Sequence, residues 1–145
     1  MTKITLDENI VKKATNVEDA CFRYAFLTIH KIAIGDYELC VDYEGEIMGK
    51  YQIMWRHEHL KEIMSEIVGK HVFCKCSGNL DIKTKHKLDQ MKFDEDDRIY
   101  IAVSINGKCE FILSEDRDFT DIQIRKYMKE KHDIEIVSSQ EFIEC

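Results

Sequence analysis

A short apolar run, Phe111-Ile112-Leu113, breaks without transition into Ser114-Glu115-Asp116-Arg117-Asp118. No apolar partners stand at helical spacing around it, so the run reads as a buried strand. Strands buried on both faces belong to parallel sheets, and ligands bind open α/β sheets at the carboxyl ends of the strands. Asp116 and Asp118 fall at that end, where an extended backbone would point both side chains the same way. Carboxylates aimed at one point repel each other unless a proton or cation lies between them. The competing reading is an Asp-rich turn that caps the next helix.

The rest of the chain repeats this strand-then-acid pattern. Residues 3–6 read as a first strand ending at Asp7-Glu8-Asn9, and Tyr37–Val41 as a second ending at Asp42, Glu44 and Glu46. Between them the periodicity predicts a buried helix over 17–33, capped by Asn16 and closed by Gly35. Helices are expected over 44–54, 58–68 and 82–91, with 72–74 as a strand or an apolar turn. Residues 94–107 read as a buried helix with Asp96 and Asp97 in its first turn. Thr120 or Asp121 caps a helix to about residue 131, a strand follows at 135–137, and Ser138 with Glu141 forms a capping box. Strands alternating with helices imply a three-layer α/β/α sandwich with a mostly parallel central sheet, a single domain over 1–145.

Composition narrows the function classes. The 145 residues contain no proline and six glycines, which argues against linkers and an internal domain boundary. No apolar segment approaches the ~18–20 residues needed to span a bilayer, and the N-terminus lacks a signal peptide's pattern, so a cytoplasmic location is expected. The six cysteines read as reduced thiols, several of them in apolar segments; His71, Cys74 and Cys76 are a weaker candidate zinc set. His57, Glu58 and His59 lack the spacing that puts two histidines on one helix face and read as a solvated helix start. A net charge of −7 disfavours bulk electrostatic binding to nucleic acid. Any such contact needs a local patch, and Lys83, Lys85 and Lys87 supply one; a solvated helix face is the equal alternative.

Asp7, the Asp42/Glu44/Glu46 group, Asp96 with Asp97, and Asp116 with Asp118 thus bring acids to strand ends or helix starts. Oxygen ligands without paired histidines or thiols suit Mg²⁺ or Mn²⁺. One or two such ions can promote phosphodiester hydrolysis and offset the repulsion between an acidic site and an acidic backbone.

These segments resemble the PIN-domain family of metal-dependent nucleases. The resemblance rests on Asp7-Glu8-Asn9 after the first strand, on Asp97-Arg98-Ile99-Tyr100-Ile101-Ala102 opening a buried helix, and on Ser114, Asp116, Asp118 and Phe119 after the central strand. It implies an endoribonuclease using Mg²⁺ or Mn²⁺, with Asp7, Asp97 and Asp116 as metal-site acids, Asp118 assisting, and Asn9 and Ser114 orienting the carboxylates. The chain departs from the family at the second acid: Gly49-Lys50 stands where a Glu is expected. Glu46, one turn earlier, is the expected substitute, with Glu44 or Asp42 as alternatives. An inward Lys50 would remove a ligand.

The resemblance also implies RNA, or DNA, as substrate, a homodimer, and an antitoxin or operon partner if the protein is a toxin or defence effector. The second reading is a catalytically inactive RNA-binding or scaffold protein. A receiver-type phosphoryl-transfer domain also uses clustered acids, but no phosphoacceptor Asp with matching Lys and Thr is found.

Overall fold

The computed structural model describes residues 1–70 and 72–144. Five strands form one all-parallel sheet in the order β3-β2-β1-β4-β5, with β1 Thr2–Leu6, β2 Tyr37–Asp42, β3 Phe73–Cys76, β4 Phe111–Leu113 and β5 Glu135–Val137. Helices α1 Glu8–Lys13, α2 Phe22–Ile34, α3 Glu46–Trp55, α4 Lys61–Gly69, α5 Ile82–Gln90, α6 Arg98–Asn106, α7 Arg117–Thr120, α8 Ile122–His132 and α9 Ser139–Glu144 complete a three-layer α/β/α sandwich.

Register fixes which residues face which helices. Ile4 pairs with Leu39 and with Phe111, so Ile4, Leu6, Leu39 and Val41 share one face. That face meets the α2/α9 layer: Tyr37 packs edge-on against Phe142 at 5.6 Å between ring centroids. The opposite face carries Thr5, Cys40, Ile112 and Cys76, and α6 lies across it; Ser104 Oγ donates to Thr5 Oγ1 at 2.7 Å. Helix α6 is apolar nearly all round because it is buried nearly all round, from Tyr100 to Ser104.

Three expectations are corrected. The helix expected from residue 17 begins at Phe22, and Asn16 does not cap it: its Oδ1 accepts from Glu18 N–H in a preceding turn. The acids after β1 and β4 lead into the short helices α1 and α7, which the periodicity did not predict. Asp116 keeps extended backbone as the N-cap of α7, but Asp118 lies on the helical turn, so the two carboxylates join different groups instead of one. The capping box at Ser138 and Glu141 forms as expected, with reciprocal bonds of 3.0 and 3.1 Å.

Candidate metal centre

In the strand order 3-2-1-4-5 the chain switches sides of β1, so the crevice falls at the carboxyl ends of the neighbours β1 and β4. Asp7 follows β1 and Asp116 closely follows β4. Asp97, on the 3₁₀ turn Glu95–Asp97 that opens α6, reaches the same point. One carboxylate oxygen from each of Asp7, Asp97 and Asp116 lies within 4.8 Å of the others.

Hydrogen bonds hold these groups in place. Ser114 Oγ donates to Asp7 Oδ2 at 2.7 Å and accepts from Asp116 N–H at 3.0 Å, so one hydroxyl positions both acids. Asp7 Oδ1 accepts from Asn9 N–H at 3.2 Å, while the Asn9 side chain accepts from Glu115 N–H at 3.3 Å and ties the two strand ends together. Asp116 Oδ1 also caps α7, accepting from Asp118 N–H at 2.9 Å. The helix-cap reading of this stretch is thus realised, and Asp116 converges with Asp7 and Asp97 rather than with Asp118. Below the acids, the buried Tyr51 hydroxyl donates to the Leu6 carbonyl, and Tyr100 Oη accepts from Glu8 N–H at 3.2 Å.

The electrostatics are those of acids held together without compensation. Burial raises the Asp7 carboxyl from 3.8 to about 6 against the lowering effect of its bonds from Ser114 and Asn9, with the Asp116 charge adding to the rise. Burial also raises Asp97 to about 7, followed by repulsion from Asp7, Asp116, Asp94 and Asp118. These three aspartates could hold a metal ion through oxygen ligands alone.

Asp118 is not part of this trio. It joins Asp94 and Asp97 in a second group within 4.8 Å, and its Oδ2 accepts from Asp94 N–H at 3.0 Å. Asp97 thus belongs to both groups. Asp94 was not singled out from the sequence. In a 3₁₀ turn residues i and i+3 eclipse, which pairs Asp94 with Asp97 and sends the intervening Asp96 elsewhere.

Glu46, the expected second acid, does not join either group. It is exposed at the head of α3 and lines a groove of about 540 Å³ with Asn79, Lys85, Asp89, Asp96 and Arg98. Asp42 is committed elsewhere, accepting from Glu46 N–H and Ile47 N–H at 2.9 and 2.8 Å as the buried cap of α3. Glu44 is exposed and also outside both groups. Lys50 pairs with Glu8 at 3.5 Å and lies 5.5 Å from the centroid of the Tyr100 ring.

The lysines of α5 separate. Lys83 and Lys87 line a groove of about 800 Å³ between α5 and α8, together with Lys126, Lys131, Tyr127 and His132. Lys85 faces the acidic groove beside Glu46. The acid trio lines neither groove. His71, named with Cys74 and Cys76 as a zinc set, lies outside the described residues.

What the fold and site define is a parallel α/β sandwich with a carboxylate trio at its topological switch point. Comparison with protein-family models, curated proteins and solved structures finds no match. Among the described residues no helix is long and apolar enough to cross a membrane.

Proposed function

We propose that the protein is a Mg²⁺- or Mn²⁺-dependent endoribonuclease whose centre is Asp7, Asp97 and Asp116. The observation that carries this reading is the convergence of the three carboxylates, two of them raised to about 6 and about 7, at the sheet's switch point. Buried acids that repel each other cost stability, and perturbed groups in a crevice are the mark of a functional site. The PIN-like motifs in the sequence support the same three residues.

A cation held there supplies Lewis-acid polarisation of a phosphodiester. Ser114 fixes the Asp7 carboxylate and the Asp116 backbone through one hydroxyl, so the trio is preorganised. Asp97 sits half-buried at the N-terminus of α6, where the helix dipole offsets part of the rise caused by burial and its acidic neighbours. Asp7 and Asp97 must give up any bound proton before holding a cation, so binding strengthens as pH rises through about 6 and about 7. Lys83, Lys87, Lys126 and Lys131 around Tyr127 offer phosphate contacts and a stacking ring for a single strand.

The test is cleavage of single-stranded RNA and DNA with Mn²⁺ or in EDTA, by wild type and by Asp116→Asn. Cleavage of RNA that needs the metal and vanishes in a folded Asp116→Asn supports the assignment. Full activity in that variant refutes it.

One observation favours a second reading, a binding or scaffold protein without catalysis. The Lys50 ammonium occupies the neighbourhood where a further acid is expected, and Glu46 does not replace it. On that reading millimolar Mn²⁺ does not bind the wild type, and RNA, if bound, stays intact.

A further inference from the structure

A second cluster of ligating atoms lies on the α6 face of the sheet, away from the aspartates. Cys40 pairs with Cys74 in the β2–β3 register, and Cys76 follows two residues on, so all three side chains project to the same side. Their sulfurs lie within 4.8 Å of one another, with Cys74 Sγ and Cys76 Sγ 3.8 Å apart. Tetrahedral Zn²⁺ with bonds of ~2.3 Å requires sulfur–sulfur separations of ~3.8 Å.

The surroundings are shaped for these sulfurs. A Cβ built at Gly107 would stand 2.7 Å from Cys40 Sγ and 2.8 Å from Cys76 Sγ, so only glycine lets the end of α6 close over them. Cys40 is fully buried and Cys76 is 6 % exposed, while Cys74 on the edge strand is half-buried and gives access from solvent. Cys109 flanks Cys40, and its sulfur is 3.4 Å from Thr5 Oγ1.

We propose that Cys40, Cys74 and Cys76 form a thiolate site for a thiophilic cation, Zn²⁺ by the sulfur spacing, which ties the edge strand β3 to β2 beneath the end of α6. Without a cation the thiols resist ionisation: burial, then contact with Cys74, pushes Cys76 up to about 11, and Cys40 is raised by its contact with Cys109 and by burial. Binding therefore expels thiol protons to solvent as each sulfur becomes a thiolate, and no electron transfer is involved. Soft sulfur ligands also separate this centre from the oxygen-only trio, which suits hard ions.

The test uses Co²⁺ as an optical stand-in for Zn²⁺ on fully reduced, metal-stripped protein whose free thiols have been titrated. Co²⁺ held by carboxylates gives no sulfur-to-cobalt charge-transfer band, whereas Co²⁺ held by thiolates does. The expected result is such a band in wild type and in Asp116→Asn, displaced by Zn²⁺. It should survive Cys21→Ser and disappear in Cys74→Ser, whose Zn²⁺ affinity falls by more than the ~10–100-fold typical of a change outside the ligand shell. X-ray absorption of the Zn²⁺ form, which needs no variant, should show a sulfur shell at ~2.3 Å. Absence of the band with all thiols free, an unchanged band in Cys74→Ser, or an oxygen-only shell would each overturn the proposal.

Discussion

Replacing Asp7 by Asn should make the metal-free protein more stable, an unusual direction for a fully buried polar residue. The wild-type carboxyl is 1 % exposed and rises from 3.8 to about 6 on folding, a value already net of its bonds from Ser114 and Asn9. A rise of about two units corresponds to about 3 kcal/mol against the ionised form. Because the folded value lies above the unfolded one, this contribution to stability is present below about pH 4 and lost as pH rises through about 6. Asn removes the charge, keeps an oxygen for the Asn9 N–H, and turns an amide toward Ser114 Oγ. That hydroxyl must then reorient, at a cost of about 1 kcal/mol. The net gain at pH 8 is about 1–3 kcal/mol, or about 2–4 °C in Tm per kcal/mol for a chain of this size. Relief of Asp97, whose second perturbation is the Asp7 charge, acts in the same direction. Urea unfolding in EDTA at pH 8 and at pH 4 measures the difference, which should close at the lower pH. With Mn²⁺ at ~1,000 times its Kd the order should reverse, since the wild type alone gains about 4.1 kcal/mol. An Asn variant no more stable than wild type at pH 8 in EDTA would refute the electrostatic account of the site.

Other substitutions probe the supports. Ser114→Ala removes the hydroxyl shared by Asp7 and Asp116, so Mn²⁺ binding measured by calorimetry should weaken ~10–100-fold while the fold is retained. Phe119→Ala empties a buried site between Phe93 and Tyr100, at centroid distances of 5.0 and 6.4 Å, and should cost about 3–5 kcal/mol in urea unfolding. Arg125 holds Glu141 down from 4.5 to about 2, so that stability is present above pH 4.5 and lost as pH falls through about 2. With the Glu141 side chain 45 % exposed, solvent screening reduces its worth, and Glu141→Gln should cost about 1 kcal/mol at pH 7, an effect that fades as pH falls through about 2.

The strands were legible because each is a short apolar run bounded by turn chemistry, and β2, β4 and β5 fall within a residue of their expected limits. Asp7, Asp97 and Asp116 were legible for the same reason: acids at the ends of parallel strands and at the head of a buried helix have few places to go. Helices α1 and α7 were not, since six and four residues are too few for a 3.6-residue period to register. Asp118 was misdirected by that omission, because a turn of helix swings its carboxylate toward Asp94. Glu46 failed for a different reason: Asp42 caps α3 from inside, and Glu46 itself is left facing solvent. The sulfur cluster was visible only as Cys74 and Cys76, because joining Cys40 to them requires the register of two strands distant in sequence, and making room for them requires Gly107.

Helix α6 connects the two candidate centres. Asp97 stands at its head and Gly107 at its end, and its nine residues, Arg98–Asn106, span about 14 Å. Between those ends Tyr100 braces the strand carrying Asp7 through Glu8 N–H, and Ser104 bonds to Thr5 in the middle of β1. A cation among the cysteines would fix the ceiling of one end, and a cation among the aspartates would neutralise the other. The helix is packed on nearly every side, so it can transmit a shift between its ends only as a rigid body. Coupling between the centres must be reciprocal: whatever factor Zn²⁺ imposes on Mn²⁺ affinity, Mn²⁺ imposes on Zn²⁺ affinity. A factor of one would mean that packing alone already holds Asp97 in place, and a larger factor that the sulfur site completes the positioning of the acid.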